Sequence, residues 1–168
     1  MQRHFGADVN RIQRLVARQL SGPPSEKVEK EVGSYAESFG VGTCVFLDKP
    51  LAKQLRIALL AVTTKRAGEG LRAEARHVLD CIAVAHRLLV DHRLSRLYIP
   101  VLGSGHGGLK GELSLLCMLI GLSEALRRPS GHHLQEVNIV IFQSSEAGAP
   151  TIPKANVRRA LAFADAYS

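Results

Sequence analysis

Between Tyr98 and Glu112 the chain reads YIPVLGSGHGGLKGE, and five glycines (Gly103, Gly105, Gly107, Gly108 and Gly111) fall within nine positions. Glycine loses more backbone freedom on folding than any other residue, so such a cluster weakens the fold unless it does something. What it can do is bring backbone N–H groups close to a ligand. An apolar, β-like run ends at Leu102, and a helix-length apolar run begins at Glu112. The loop therefore lies between the end of a strand and the positive end of a helix dipole, which suits an anion such as a diphosphate. A glycine-rich turn that only packs closely against its neighbours is the plainer alternative.

Two familiar glycine loops fit poorly. A phosphate-binding P-loop requires GxxxxGK[ST], but Leu109 stands where the lysine belongs. Gly103, Gly105 and Gly108 satisfy GxGxxG. The acidic residue expected about 20 positions on would be Glu124, and that residue falls inside an expected helix. Around the loop, His106 is a candidate general base or ribose contact, and Lys110 a candidate phosphate neutraliser. His106 reads better as an exposed loop histidine, since no partner is visible, and Lys110 equally well as a solvated lysine. Ser104 lacks the GxSxG context of a nucleophile. Glu146 follows the last strand, and His132 and His133 lie in a turn expected to face away from the loop. The seven histidines and three cysteines (Cys44, Cys81, Cys117) show no metal-ligand spacing, so neither a metal nor a cofactor is expected. The cysteines sit in apolar contexts and read as buried, reduced thiols.

Composition bounds the rest. A chain of 168 residues with 46% hydrophobic content can bury a core, and one domain over 1–168 is the simplest organisation, with an N-terminal helical segment over 1–33. Tryptophan is absent and aromatics are 5%, which disfavours a stacking platform for single-stranded nucleic acid. A net charge of +7 allows an anionic partner, nucleic acid among them. The N-terminus has no signal-peptide core, and the longest apolar stretch, Leu113 to Leu122, is about half the ~20 residues of a membrane span. A cytoplasmic protein with no membrane partner is expected.

These residues need elements to position them. Val9, Ile12, Leu15, Val16 and Leu20 recur at helical spacing, which predicts a helix over 8–20. Ser25 is placed to cap a short charged helix over 26–32, and GSYAESFGVG reads as a loop. TCVFLD reads as a strand, and RIALLAV (56–62) as a strand buried on both faces. TTKRAGEG is a loop, followed by a helix from Leu71 to about Val90. RLYIPVL, a buried helix over 112–127 with Leu116 as a core position, EVNIVIF, and a final helix from Pro153 to about 166 complete the series. Strands alternating with helices predict an α/β fold with a parallel sheet.

The loop, the helix after it and the strand VNIVIF together resemble the macrodomain family, in which an apolar strand ending Pro-x-x-Gly leads into a GxGxGG-like loop. IALLAVTTK with its long helix resembles the matching segment of the antitoxin-type macrodomains, which remove ADP-ribose from DNA. The resemblance spans roughly residues 40–145. It implies a three-layer α/β/α sandwich around a mostly parallel mixed sheet, and a cleft for ADP-ribose or a related NAD-derived nucleotide, free or attached to a macromolecule. By that likeness Gly103, Ser104, Gly105, His106, Gly107, Gly108 and Leu109 wrap the diphosphate and distal ribose. Phe142 lies near the adenine. Gly40, Val41, Gly42 and the loop of Thr63, Thr64, Lys65 and Arg66 form the rim. The chain departs from the hydrolytic members in having no asparagine-rich early loop and no adenine-reading aspartate. It offers no choice between Lys53 and Lys65 as a nucleophile. A sensor or reader module is therefore expected, with an ADP-ribosyl hydrolase as the alternative. A basic nucleic-acid-binding domain whose glycine loop is structural is a third reading.

Overall fold

The structure, a computed structural model, describes residues 9–31, 33–48, 56–65, 70–128, 134–142 and 151–167. The chain folds as two compact units, Met1–Ala61 and Val62–Ser168. It is mixed α/β, with four helices and four two-stranded ladders among the described residues.

In the first unit, helix α1 (Val9–Leu20) forms where the apolar spacing predicts it. Its apolar face meets the hairpin of β3 (Cys44–Leu47) and β4 (Ile57–Leu60), with Ile12, Val45 and Leu47 buried together and Leu15, Val16, Leu20, Ile57 and Leu59 packed around them. The Gln19 side chain completes this contact. Its amide donates to the Phe46 carbonyl at 2.8 Å and accepts the Phe46 N–H at 3.0 Å, so one side chain bonds the β3 backbone as a neighbouring strand would. Arg56 and Asp48 form an exposed ion pair at 3.1 Å across the hairpin.

Three expectations fail here. Among the described residues of 26–32 there is no helix, and the following segment is not a loop. Strand β1 (Ser25–Glu31) pairs antiparallel with β2 (Ser34–Phe39). A six- or seven-residue helix has little cooperativity of its own. The alternating sequence SEKVEKE instead finds cross-strand partners, Lys27 opposite Glu37 and Val28 opposite Ala36. The helical part of 1–33 is thus confined, among the described residues, to α1. Strand β4 is also not buried on both faces. It pairs antiparallel with β3 and exposes Ala58.

The second unit carries the glycine loop. Two-residue strand β5 (Thr64–Lys65), inside the expected TTKRAGEG loop, pairs antiparallel with β6 (Leu71–Arg72) just after it, which takes Leu71 out of the helix that follows. That helix, α2 (Ala75–Asp91), buries Val78, Cys81, Ile82, Ala85 and Leu89 on one stripe. Strand β7 (Arg96–Pro100) leads through the loop to α3 (Gly111–Arg127), and β8 (Glu136–Val140) returns parallel to β7 in register from Arg96↔Glu136 to Pro100↔Val140. This β-α-β unit holds the parallel pairing; the other three ladders are antiparallel. Helix α4 (Lys154–Tyr167) packs on α3, and Leu115, Ile152 and Ala160 form a core with Val101, Ile139, Ile141 and Val157.

The core register of α3 is one residue off the expected one. Leu115 is 2% exposed whereas Leu116 is only partly buried, because the helix presents 114/115, 117/118 and 122 to its neighbours. Cys81 and Cys117 are buried and Cys44 half-buried, none of them in a disulfide, and burial raises the pKa of Cys44 and of Cys117. No helix among the described residues is long and apolar enough to cross a membrane. The turn PSGHH lies outside the described residues.

Leu115→Ala should lower unfolding stability by about 2–5 kcal/mol, the ordinary cost of a cavity in a closed core. Leu116→Ala should cost clearly less. Urea titrations of the two variants against the wild type read the difference directly.

Candidate functional site

The loop is built from the end of β7 upward. Leu102 is buried, and its carbonyl accepts the hydroxyl of the fully buried Ser114, which ties the start of the loop to the first turn of α3. The Gly103 carbonyl accepts the Leu109 N–H at 3.1 Å, closing the loop on itself, and the Gly105 carbonyl accepts the Gly108 N–H at 3.1 Å in a tight turn at the tip. The far side is anchored by the Ala73 N–H, which donates to the Gly107 carbonyl at 2.8 Å. Ala73 directly precedes the start of α2, where the Glu74 N–H donates to His77 Nδ1 at 3.2 Å. One half of a capping box thereby fixes the segment against which the loop rests.

The five glycines sort by what surrounds them. A methyl at Gly107 would lie 2.8 Å from the Ala73 Cβ, 2.8 Å from the Gly103 oxygen and 2.9 Å from Thr63 Cγ2. Gly107 is therefore glycine because nothing larger fits. Gly103 has φ +69° and stands 2.6 Å from the Ala73 Cβ on the same test, and Gly108 has φ +65° in open space; both occupy the left-handed region that side chains disfavour. Gly111 packs its first-turn position against Ile152. Gly105 has none of these reasons. Its φ is not positive, and among the described residues nothing stands within 4 Å of an added methyl. Among the described residues no acceptor takes the N–H of Gly105, His106 or Gly107.

The side chains around the loop contribute less than their types suggest. Ser104 is exposed and its hydroxyl donates to the Val101 carbonyl at 3.1 Å. His106 and Lys110 are exposed, and Leu109 is half-buried beside Gly103. Thr63 lies against Gly107. Thr64 is turned to the β5–β6 ladder, its hydroxyl donating to the Arg72 carbonyl at 3.4 Å. Phe142, 72% exposed, lies two residues beyond β8, and its carbonyl accepts both the N–H and the hydroxyl of Thr151. Gly42 belongs to the first unit, in a turn where its N–H donates to the Ala61 carbonyl at 2.9 Å. Lys53, Arg66, His132, His133 and Glu146 lie outside the described residues.

Glu112 was not a sequence candidate, yet it changes the electrostatics of the site. It sits in the first turn of α3, and its carboxyl is held below the ordinary value of 4.5 by its own backbone N–H, then by the Asn156 side-chain amide at 3.2 Å, and by the Lys110 charge. The helix N-terminus thus already holds a resident carboxylate. Ser114 and His77 were also missed. The sequence signal was present for His77, three residues after the N-cap Glu74, but a histidine in that role is unusual.

An apolar groove of about 380 Å³ runs between α3, β8 and α4, lined by Leu115, Leu119, Leu122, Val137, Ile139 and Leu161 among others. It does not include the glycine loop, and Ser123 is its polar lining residue. No group of histidine, cysteine or carboxylate side chains among the described residues is arranged to hold a metal ion. No family model, curated protein or solved structure matches this chain.

Gly103→Ala and Gly107→Ala should each cost about 1–3 kcal/mol, from backbone strain and crowding respectively. Gly105→Ala should stay within about 0.5 kcal/mol of wild type. Thermal melts of the three variants side by side test the sorting. A second outcome concerns acid. Because the Glu112 pKa is lowered in the folded state, its contribution to stability is fully present above its ordinary value of 4.5 and is lost as pH falls through the lowered value. Glu112→Gln should flatten that acid limb of the stability profile and leave the slope near neutrality unchanged, as followed by denaturant midpoints from pH 2.5 to 7.

Proposed function

We propose that the chain is a macrodomain-like module that binds ADP-ribose or a related NAD-derived nucleotide through the backbone of residues 104–107. The observation that carries the reading is Gly105. Packing or backbone conformation accounts for the other four loop glycines, whereas Gly105 faces open space beside N–H groups without an internal acceptor. A close-approaching anionic ligand is the physical circumstance that requires glycine at such a place. The parallel β7-α3-β8 unit, with its loop at the carboxyl end of β7, is the part of the fold that accords with a three-layer sandwich and with ligand binding at strand ends.

Binding is favoured over hydrolysis because the chemistry on offer is that of backbone amides. Amides stabilise a diphosphate but transfer no proton, and the Glu112 carboxylate at the start of α3 is already engaged with its own backbone and Asn156. Thr63 would flank the diphosphate, His106 the distal ribose, and Phe142 the adenine, as in the family the loop resembles. An ADP-ribosylated macromolecule presenting the same nucleotide is the corresponding partner.

ADP-ribose at 100 times its dissociation constant should stabilise the folded protein by about 2.7 kcal/mol, seen as a rise in melting temperature, with ATP and NAD as comparison ligands. Gly105→Val should keep the wild-type melting temperature without ligand and lose the shift with it. A Gly105→Val variant that stays folded and binds like wild type would show that the loop is not the ligand site.

A further inference from the structure

A second charged feature lies away from the glycine loop, on α1. The helix VNRIQRLVARQL has no acidic residue. Its apolar face is buried against β3 and β4, and Arg11, Arg14 and Arg18 are all exposed. At 100° per residue these three arginines fall within an arc of about 60°, and they span about 10 Å along the helix axis. Among the described residues none of the three forms an ion pair; Arg14 Nε donates to the Asn10 carbonyl one turn back. The neighbouring exposed positions, Asn10, Gln13 and Ala17, are short or uncharged.

We propose that this arginine stripe docks on the phosphate backbone of double-stranded nucleic acid. Three fixed cations along about 10 Å match a polymer that carries one negative charge per ~1.7 Å of its axis, on the order of six charges over the same length. The absence of carboxylates in the helix removes the repulsion that ordinarily accompanies a mixed charged face. An anionic membrane is the competing occupant, and the packing disfavours it. An amphipathic helix binds lipid by burying its apolar face in the bilayer, and here Ile12, on that face, is 6% exposed and already in the core of the first unit. Single strands are disfavoured because α1 contains no aromatic residue on which bases could stack. The docking is sequence-independent, since phosphate contacts position a duplex without reading it. It is also independent of the nucleotide reading of the glycine loop, which lies in the other unit.

The test is fluorescence anisotropy of a labelled 24-base-pair DNA duplex of arbitrary sequence against the full chain, from 50 to 200 mM salt. The comparison is R11Q/R14Q/R18Q, with K154Q/R158Q/R159Q on α4 as the control for net charge. The wild type and the α4 variant should bind with similar salt slopes. The α1 variant should bind at least about 10-fold more weakly at 50 mM salt, and its log–log slope should be shallower by about 2–3, the number of lost phosphate contacts. Circular dichroism should show all three proteins equally folded, because the substituted side chains are exposed. Absence of duplex binding by the wild type, an unchanged slope in the α1 variant, or an equal loss in the α4 variant overturns the proposal. So does binding to phosphatidylserine–phosphatidylcholine vesicles in preference to the duplex.

Discussion

The second unit depends on the close approach of Gly107 to Ala73. The N–H of Ala73 reaches the Gly107 carbonyl at 2.8 Å, and this is possible only because neither residue has a large side chain between them. That contact joins the loop after β7 to the segment before α2, two pieces of chain more than thirty residues apart in sequence. The capping interaction of His77 holds one side of the junction, and the buried hydroxyl of Ser114 holds the other. A loop that would otherwise be among the most flexible parts of the chain is thereby fixed at both ends, with its tip, residues 104–106, left exposed. Rigid feet and an open tip are what a backbone-mediated ligand site needs, because ordering a flexible loop at the moment of binding would cost affinity.

The same junction decides where negative charge can go. A helix N-terminus that follows a glycine loop is ordinarily the first place to seat a phosphate. In this chain Glu112 takes that place, held by its own backbone N–H and by Asn156 from α4. The carboxylate stabilises the start of α3 and links it to the last helix.

The first unit solves a different problem with few residues. A two-stranded hairpin is marginal on its own, and β3–β4 gains its stability from α1 laid across it, with Ile12 as the buried contact. The Gln19 amide bonding the Phe46 backbone blunts an exposed strand edge without adding a strand. Since the apolar face of α1 is turned to the hairpin in this way, its arginine face is left to solvent as a separate feature.

Much of the element pattern was legible in the residues. The helical spacing from Val9 to Leu20, the apolar runs that became β3, β4, β7 and β8, and Pro153 at the start of α4 carry strong local signals, because hydrophobic periodicity reports directly which face must be buried. The glycine loop was equally plain as a loop. Tertiary structure decided what local signals could not. It made β1 and β2 strands, because paired neighbours outweigh the weak helical preference of a short charged segment. It set β4 antiparallel to β3, and it shifted the core of α3 from Leu116 to Leu115. Above all, it divided five glycines that look alike in sequence. Gly103 and Gly107 are determined by Ala73, Gly111 by Ile152, Gly108 by its own backbone angle, and Gly105 by nothing among the described residues. A sequence shows only that side chains are missing at these positions. Whether the space is filled by the protein or left open depends on atoms that folding brings from distant segments.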